Sequence, residues 1–141
     1  MPLVDKFLIA RKLEKIESYL GEIHRKKGPS IRSFKKDKDL QSIILFNLIQ
    51  AVQACIDMGT HIISDSGWEI PSTQAEIFEI LAKHKIITKA LAEKMIRMAG
   101  FRNRIVHEYE KTDLSVVYAV WTKHSADIGR FCRAIIKKFS L

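Results

Sequence analysis

The sequence predicts an all-α protein, an antiparallel bundle of four to five helices. Apolar residues recur at spacings of three and four along most of the 141 positions, the period of a helix with one buried face. No alternating apolar and polar run is long enough for a strand, and no internal repeat is visible. The chain is predicted to form one domain, 1–141, with length enough for a core.

The first helix is predicted at about 3–26, where Ile9, Leu13, Ile16, Leu20 and Ile23 form the stripe. It stops in RKKGPS, a basic last turn followed by Gly28 and Pro29. Residues 28–38 read as a basic connector. The second helix, about 38–65, is the most apolar. Ile44, Leu48, Ala51, Cys55, Met58 and Ile62 line one face, and Leu45, Ile49, Val52, Ile56 and Ile63 the next. Only Gln50, Gln53, Asp57 and Thr60 leave a polar stripe, so this helix needs partners on several sides, a second subunit among the candidates. Asp57 and His61 stand at i and i+4, a spacing suited to a structural pair.

SDSGWEIPST is a turn-rich loop, in which Trp68 reads as a pin to the core rather than a base-stacking platform. Thr73 and Glu76 make a capping-box pattern for a helix at about 73–84. Thr88 caps another that passes Met95 and Met98 and enters FRNRIVHEYEK, residues 101–111. Asp113 opens a long last helix with the stripe Leu114, Val117, Trp121, His124, Ile128, Phe131 and Ile135.

The formal net charge is +8, which attracts a polyanion, nucleic acid being the commonest. Cys55 and Cys132 lie on apolar helical stretches, as buried thiols in a reducing compartment. No Cys/His spacing suits a tetrahedral metal site, and neither metal nor cofactor is expected. Charges run through the N-terminal segment, and no apolar run reaches membrane-spanning length. A cytoplasmic protein free of the membrane is the expectation.

The segment 101–111 carries the chemistry. On an ideal helix each residue turns the side chain by roughly 100 degrees. Asn103 and His107 then share a face, Gly100 leaves that face open, and Arg102 and Tyr109 come within roughly 20 degrees of each other. Arg102 and His107 stand roughly 140 degrees apart, so a substrate or a helix distortion must bridge them. Without a thiol nucleophile or a carboxylate constellation, Arg and His point to phosphate chemistry. The guanidinium grips phosphate oxygens and stays charged. The imidazole titrates near neutrality and moves protons. Given RNA, the 2′-hydroxyl attacks its own phosphodiester, His107 takes the proton and Arg102 stabilises the developing charge. One chain supplies a single such histidine, so a second acid would come from a symmetry-related copy.

RNRIVHEY in a small basic helical chain resembles the R-x4-H-x-Y motif of the HepT family, within the HEPN ribonuclease superfamily. DLQSIILFNLIQAVQACIDMGTHII resembles the family's long second helix, and GWEIPSTQAEIFEIL its following loop and helix. The resemblance implies a HEPN-like fold and a metal-independent endoribonuclease toxin acting as a homodimer. It maps Arg102 and His107 onto the catalytic pair and Asn103 onto the polar residue beside them. It also implies a nucleotidyltransferase antitoxin of the MNT type, which transfers AMP to the motif tyrosine, here Tyr109. On the helical register, that AMP would set its phosphate beside Arg102 and displace the RNA phosphate.

Between Arg25 and Lys38 lie seven Lys/Arg, of which Arg25, Lys26, Lys27, Arg32, Lys35 and Lys36, with Arg104 of the motif, are candidate RNA-backbone contacts. Arg130, Arg133, Lys137 and Lys138 extend that surface. His24, His84 and His124 read as solvated or satisfied histidines. The rival function is a non-catalytic helical module that presents substrate to a minimal nucleotidyltransferase. A DNA-binding regulator has little support, because no short helix-turn-helix stands out.

Overall fold

The computed structural model describes residues 3–141, and among them all regular structure is helical. α1 (Lys6–Arg25) begins later than the expected residue 3, because Asp5 caps it: the carboxylate accepts the Leu8 N–H at 3.0 Å. The expected connector contains a helix, α2 (Ile31–Lys36), opened by Ser30, whose hydroxyl accepts the Ser33 N–H. Six residues are too few to display a helical period, so the sequence could not announce it. Phe34 anchors α2 by packing its ring 5.5 Å from Trp121 and 5.7 Å from Tyr118.

α3 (Lys38–Ser66) follows the expected bounds, with Asp37 capping its start and Gly67 closing its end in the left-handed conformation. It packs against α1, α2, α4, α5 and α7, which the later segments supply. A helix apolar round most of its circumference is stable in water only when surrounded in this way. By length and composition α3 would pass as a membrane span, contrary to expectation, yet 56% of its most apolar window is buried in this fold. Gly59 marks the closest approach to α4: a Cβ there would fall 2.7 Å from Ile77 Cγ2. On the polar stripe, Asp57 accepts a 2.9 Å hydrogen bond from Gln53 rather than pairing with His61.

α4 (Gln74–Lys83) is capped by Thr73, whose hydroxyl accepts the Glu76 N–H. Glu76 reaches back to the Ser72 N–H, one residue before the usual partner in a capping box. α5 (Lys89–His107) starts on the expected Thr88 cap and packs along α4 and α3.

The expected long last helix is broken into two. α6 (Leu114–Ala119) widens into a π turn over Val120–His124, closed by the Ser125 N–H on Val120 O at 2.7 Å, before α7 (Ala126–Phe139). One extra residue enters the turn, so His124 leaves the apolar stripe for solvent while Ser125 becomes buried. Trp121 stays on the stripe, fully buried, and its indole N–H donates to Ile23 O at 2.7 Å. The Tyr118 hydroxyl donates to Pro29 O. Together they fasten the α1–α2 corner to α6.

Candidate active site

The motif occupies the last two turns of α5, and those turns hold its residues unequally. Ile105 and Phe101 are buried and seat the helix on the core. Arg102 and Asn103 are half-buried, whereas His107 is exposed as the helix's last residue.

A chain of polar contacts fixes the arginine. Arg102 Nη1 donates to Asn103 Oδ1 at 3.0 Å, and Asn103 Nδ2 donates to Gln74 Oε1 at 2.9 Å. Gln74 is the first residue of α4, so the Thr73 cap sets the position of the group that orients the motif. The contact spans 29 residues of sequence, and nothing local in the chain signals it. Within this network one atom is left over. Arg102 Nε is buried with no hydrogen-bond partner, the single such side-chain atom among the described residues. An orphaned buried donor costs about 1–3 kcal/mol, more when charged.

Gly100 keeps that end of the helix uncluttered, for even a Cβ there would meet only Arg104 Nη1, at 3.7 Å. No hydrogen bond joins His107 to Arg102 among the described residues, as their angular separation on the helix requires.

Tyr109 departs from expectation. The helix ends at His107, Glu108 takes φ −130° and ψ 42°, and Tyr109–Lys111 form a separate 3-10 turn. The helical register therefore does not carry Tyr109 over Arg102, and the expected juxtaposition of the two loses its basis. The turn is closed by the Thr112 hydroxyl, which donates to Tyr109 O at 2.6 Å. It leaves the tyrosine 59% exposed, accessible to another protein.

The basic candidates divide. Arg25 forms an ion pair with Glu22 at 2.6 Å, and Lys26 caps α1. Lys27, Arg32, Lys35 and Lys36 are exposed on or beside α2, held in place by Phe34 rather than on a loose connector. Arg104 does not accompany Arg102: it lies roughly 200 degrees round the helix and lines a groove on the other side of α5.

Elsewhere among the described residues every buried side-chain polar atom has a hydrogen-bond partner. Trp68 stacks on His84 with ring centroids 3.8 Å apart and planes 3° apart, and Glu69 accepts from both Lys83 and His84. Those bonds, that to Lys83 first, hold the Glu69 carboxyl down to about 2. The Trp68 loop is thereby pinned to α4. Cys55 is buried, and the neighbouring half-buried Cys132, followed by burial, pushes its thiol well up; neither belongs to the motif. Among the described residues no three His, Cys, Asp or Glu gather as metal ligands.

Comparison with known proteins places this geometry in context. Residues 9–135 match the family model described as ribonuclease HepT-like. The chain is 31% identical to an mRNA nuclease HepT of Shewanella oneidensis, over 91% of this chain and 96% of that protein. It is 32% identical to a tRNA nuclease HepT of Aphanizomenon flos-aquae, covering 84% and 80% respectively. A solved structure of a tri-AMPylated Shewanella oneidensis HEPN toxin in complex with MNT antitoxin superposes with a TM-score of 0.84. It is 31% identical and covers 92% of this chain and 96% of that one. Bacillus subtilis YutE, a cytosolic protein of unknown function, shares the fold with a TM-score of 0.85 at 18% identity, covering 99% and 94%.

Proposed function

The chain belongs to the HepT-like ribonuclease family, and from that premise we propose that it is a metal-independent endoribonuclease toxin cutting RNA with Arg102 and His107. One observation carries the assignment: the buried, partnerless Nε of Arg102, on a guanidinium anchored through Asn103 to Gln74. A solvated surface arginine needs no such anchoring, and a structural one would have its donors filled.

The scissile phosphate sits against Arg102, whose free Nη2 donates to its oxygens. The 2′-hydroxyl attacks the adjacent phosphorus while His107 accepts its proton. As the bond to the 5′-oxygen breaks, charge gathers on the non-bridging oxygens, where the fixed guanidinium meets it without reorganising. The leaving oxygen takes a proton from a second acid, the His107 of another copy, which is why the working unit is a homodimer. The products are a 2′,3′-cyclic phosphate and a 5′-hydroxyl. Asn103 positions Arg102 and touches no reacting atom.

A nucleotidyltransferase antitoxin of the MNT type neutralises the toxin by transferring AMP to Tyr109. The exposed hydroxyl on its own short turn suits an enzyme's reach, and the added phosphate and nucleoside crowd the approach to His107, two residues away. The toxin works in the cytoplasm, where its RNA lies.

Purified protein incubated with RNA in EDTA tests the assignment. Cleavage leaving a cyclic phosphate, and lost in both Arg102→Ala and His107→Ala variants of unchanged fold, is the expected result. Failure of the unmodified protein to cut any RNA would instead favour a non-catalytic partner of the nucleotidyltransferase. For Tyr109, co-expression of Tyr109→Phe with the antitoxin should leave the toxin active. Full protection with AMP on another residue would remove Tyr109 from the scheme.

A further inference from the structure

On the side of α5 away from Arg102 lies a groove of about 420 Å³, walled by α5 and by α6 with its π turn and α7. Arg97 and Arg104 project into it from one wall, Lys123 and Arg130 from the other, with Lys94 at the rim. His124, expelled from the apolar stripe by the π turn, joins the second wall. A π turn spends backbone regularity to re-aim side chains, and here it delivers two polar residues, Lys123 and His124, to one lip.

The charge is not balanced from within. The single carboxylate lining the groove is that of Asp127, which is 6% exposed and already engaged by Arg130 at 2.7 Å, with Lys94 at 4.0 Å. Arg97, Arg104 and Lys123 have no ion-pair partner among the described residues. Cations facing one another across a concave surface repel, and a polyanion threaded between them relieves that repulsion. Its apolar lining, Met98, Phe101, Val116 and Val120, can receive the flat face of a base.

The groove also leads somewhere. A smaller cavity of about 140 Å³ shares Phe101, Arg104 and Val116 with it and continues past Ile105 to Glu108 and Lys111. It ends at the turn that directly follows His107. Its own charges balance, Arg104 and Lys111 against Glu108 and Asp113, and Asp113 is occupied in capping α6. Arg104 therefore stands at the junction between the cationic trough and the reactive end of α5.

We infer that this groove is a second RNA site, which grips the backbone of single-stranded RNA several nucleotides from the cut and feeds the strand round the end of α5 to His107. An acidic protein could use the charge, but an apolar lining for bases and a cavity leading on to Glu108, next to His107 in the chain, suit a nucleic-acid strand. The inference rests on the ribonuclease reading for its ligand, and binding rather than cleavage is the measurement that separates the two.

On a His107→Ala background, binding of a fluorescent single-stranded 20-mer and of a trinucleotide is titrated against salt, with and without Arg97→Ala and Lys123→Ala together. The pair should weaken the 20-mer by about tenfold, the scale of two exposed charge contacts. It should also flatten the slope of log affinity against log salt by about 1.4, two single-strand phosphate contacts. The trinucleotide, filling only the motif, should bind with unaltered affinity. Equal weakening of both RNAs would overturn the inference. So would unchanged 20-mer binding, including the case in which the substitutions instead detach the antitoxin and mark the groove as a protein interface. Circular dichroism and melting temperature confirm that the variants are folded.

Discussion

Two polar clusters of similar make-up sit on the same fold and behave in opposite ways. At the Trp68 loop, Glu69 lies between Lys83 and His84, and the imidazole is covered by the indole. Its charges face one another, so the cluster is complete. At the motif, Arg102 spends one nitrogen on Asn103 and leaves Nε buried and unmatched, and His107, five residues on, has no side-chain hydrogen bond among the described residues. The first cluster gains by being formed. The second leaves a buried donor without a partner, at a cost to the fold. Residue type does not tell them apart, since both hold a cation and a histidine. Satisfaction does.

The sharpest way to break this contrast is to remove the unmatched donor and keep the side chain's apolar stem. Arg102→Met should lower RNA cleavage by at least about a hundredfold, the scale of one preorganised charge contact. Its melting temperature should hold or rise, since the orphaned N–H is gone. A large loss of stability in differential scanning calorimetry would mean that the arginine is structural after all.

A smaller effect is expected one step back. Gln74→Leu frees Asn103 and lets the guanidinium wander, so kcat should fall by about tenfold for a positioning contact with KM little changed. Asn103→Ala should match it, and the double variant should cost no more than either single one, as members of one chain do. Additive losses would show that the two side chains act separately.

Smallest of all is the response of the satisfied cluster. The Glu69 carboxyl, at about 2 in the fold against an ordinary 4.5, is depressed, so its contribution is fully present above pH 4.5. It is lost as the pH falls toward 2. Glu69→Gln should lower the melting temperature slightly at pH 7 and flatten its decline across that acid range, with cleavage at pH 7 untouched. An effect on cleavage as large as that of Gln74→Leu would dissolve the distinction between the clusters.

The helices of this bundle were legible because burial follows a local period. Ile9 to Ile23, the two apolar faces of α3 and the Thr73 and Thr88 caps each announce themselves within a few residues. Cap chemistry corrected the start of α1 by three residues, and α2 escaped notice because its single buried side chain, Phe34, draws its partners from residues 118 and 121. The motif was legible as a set of residue types at a spacing. Its geometry was not. Tyr109 left the helical register when α5 ended at His107, and the π turn at Val120–His124 shifted the register of the last helix. Both departures depend on how the chain packs beyond the turn concerned.

Sequence by itself determined that this is a basic helical bundle, with Arg102, Asn103 and His107 carried on one helix. Those are consequences of side-chain order and the fixed pitch of the α-helix. Tertiary structure decided which nitrogen of Arg102 goes unpaired, that Gln74 orients it, and that Arg104 turns away into a second cationic groove. Such facts are settled between elements far apart in the chain, where a hydrogen bond or its absence is fixed by packing and has no local signature.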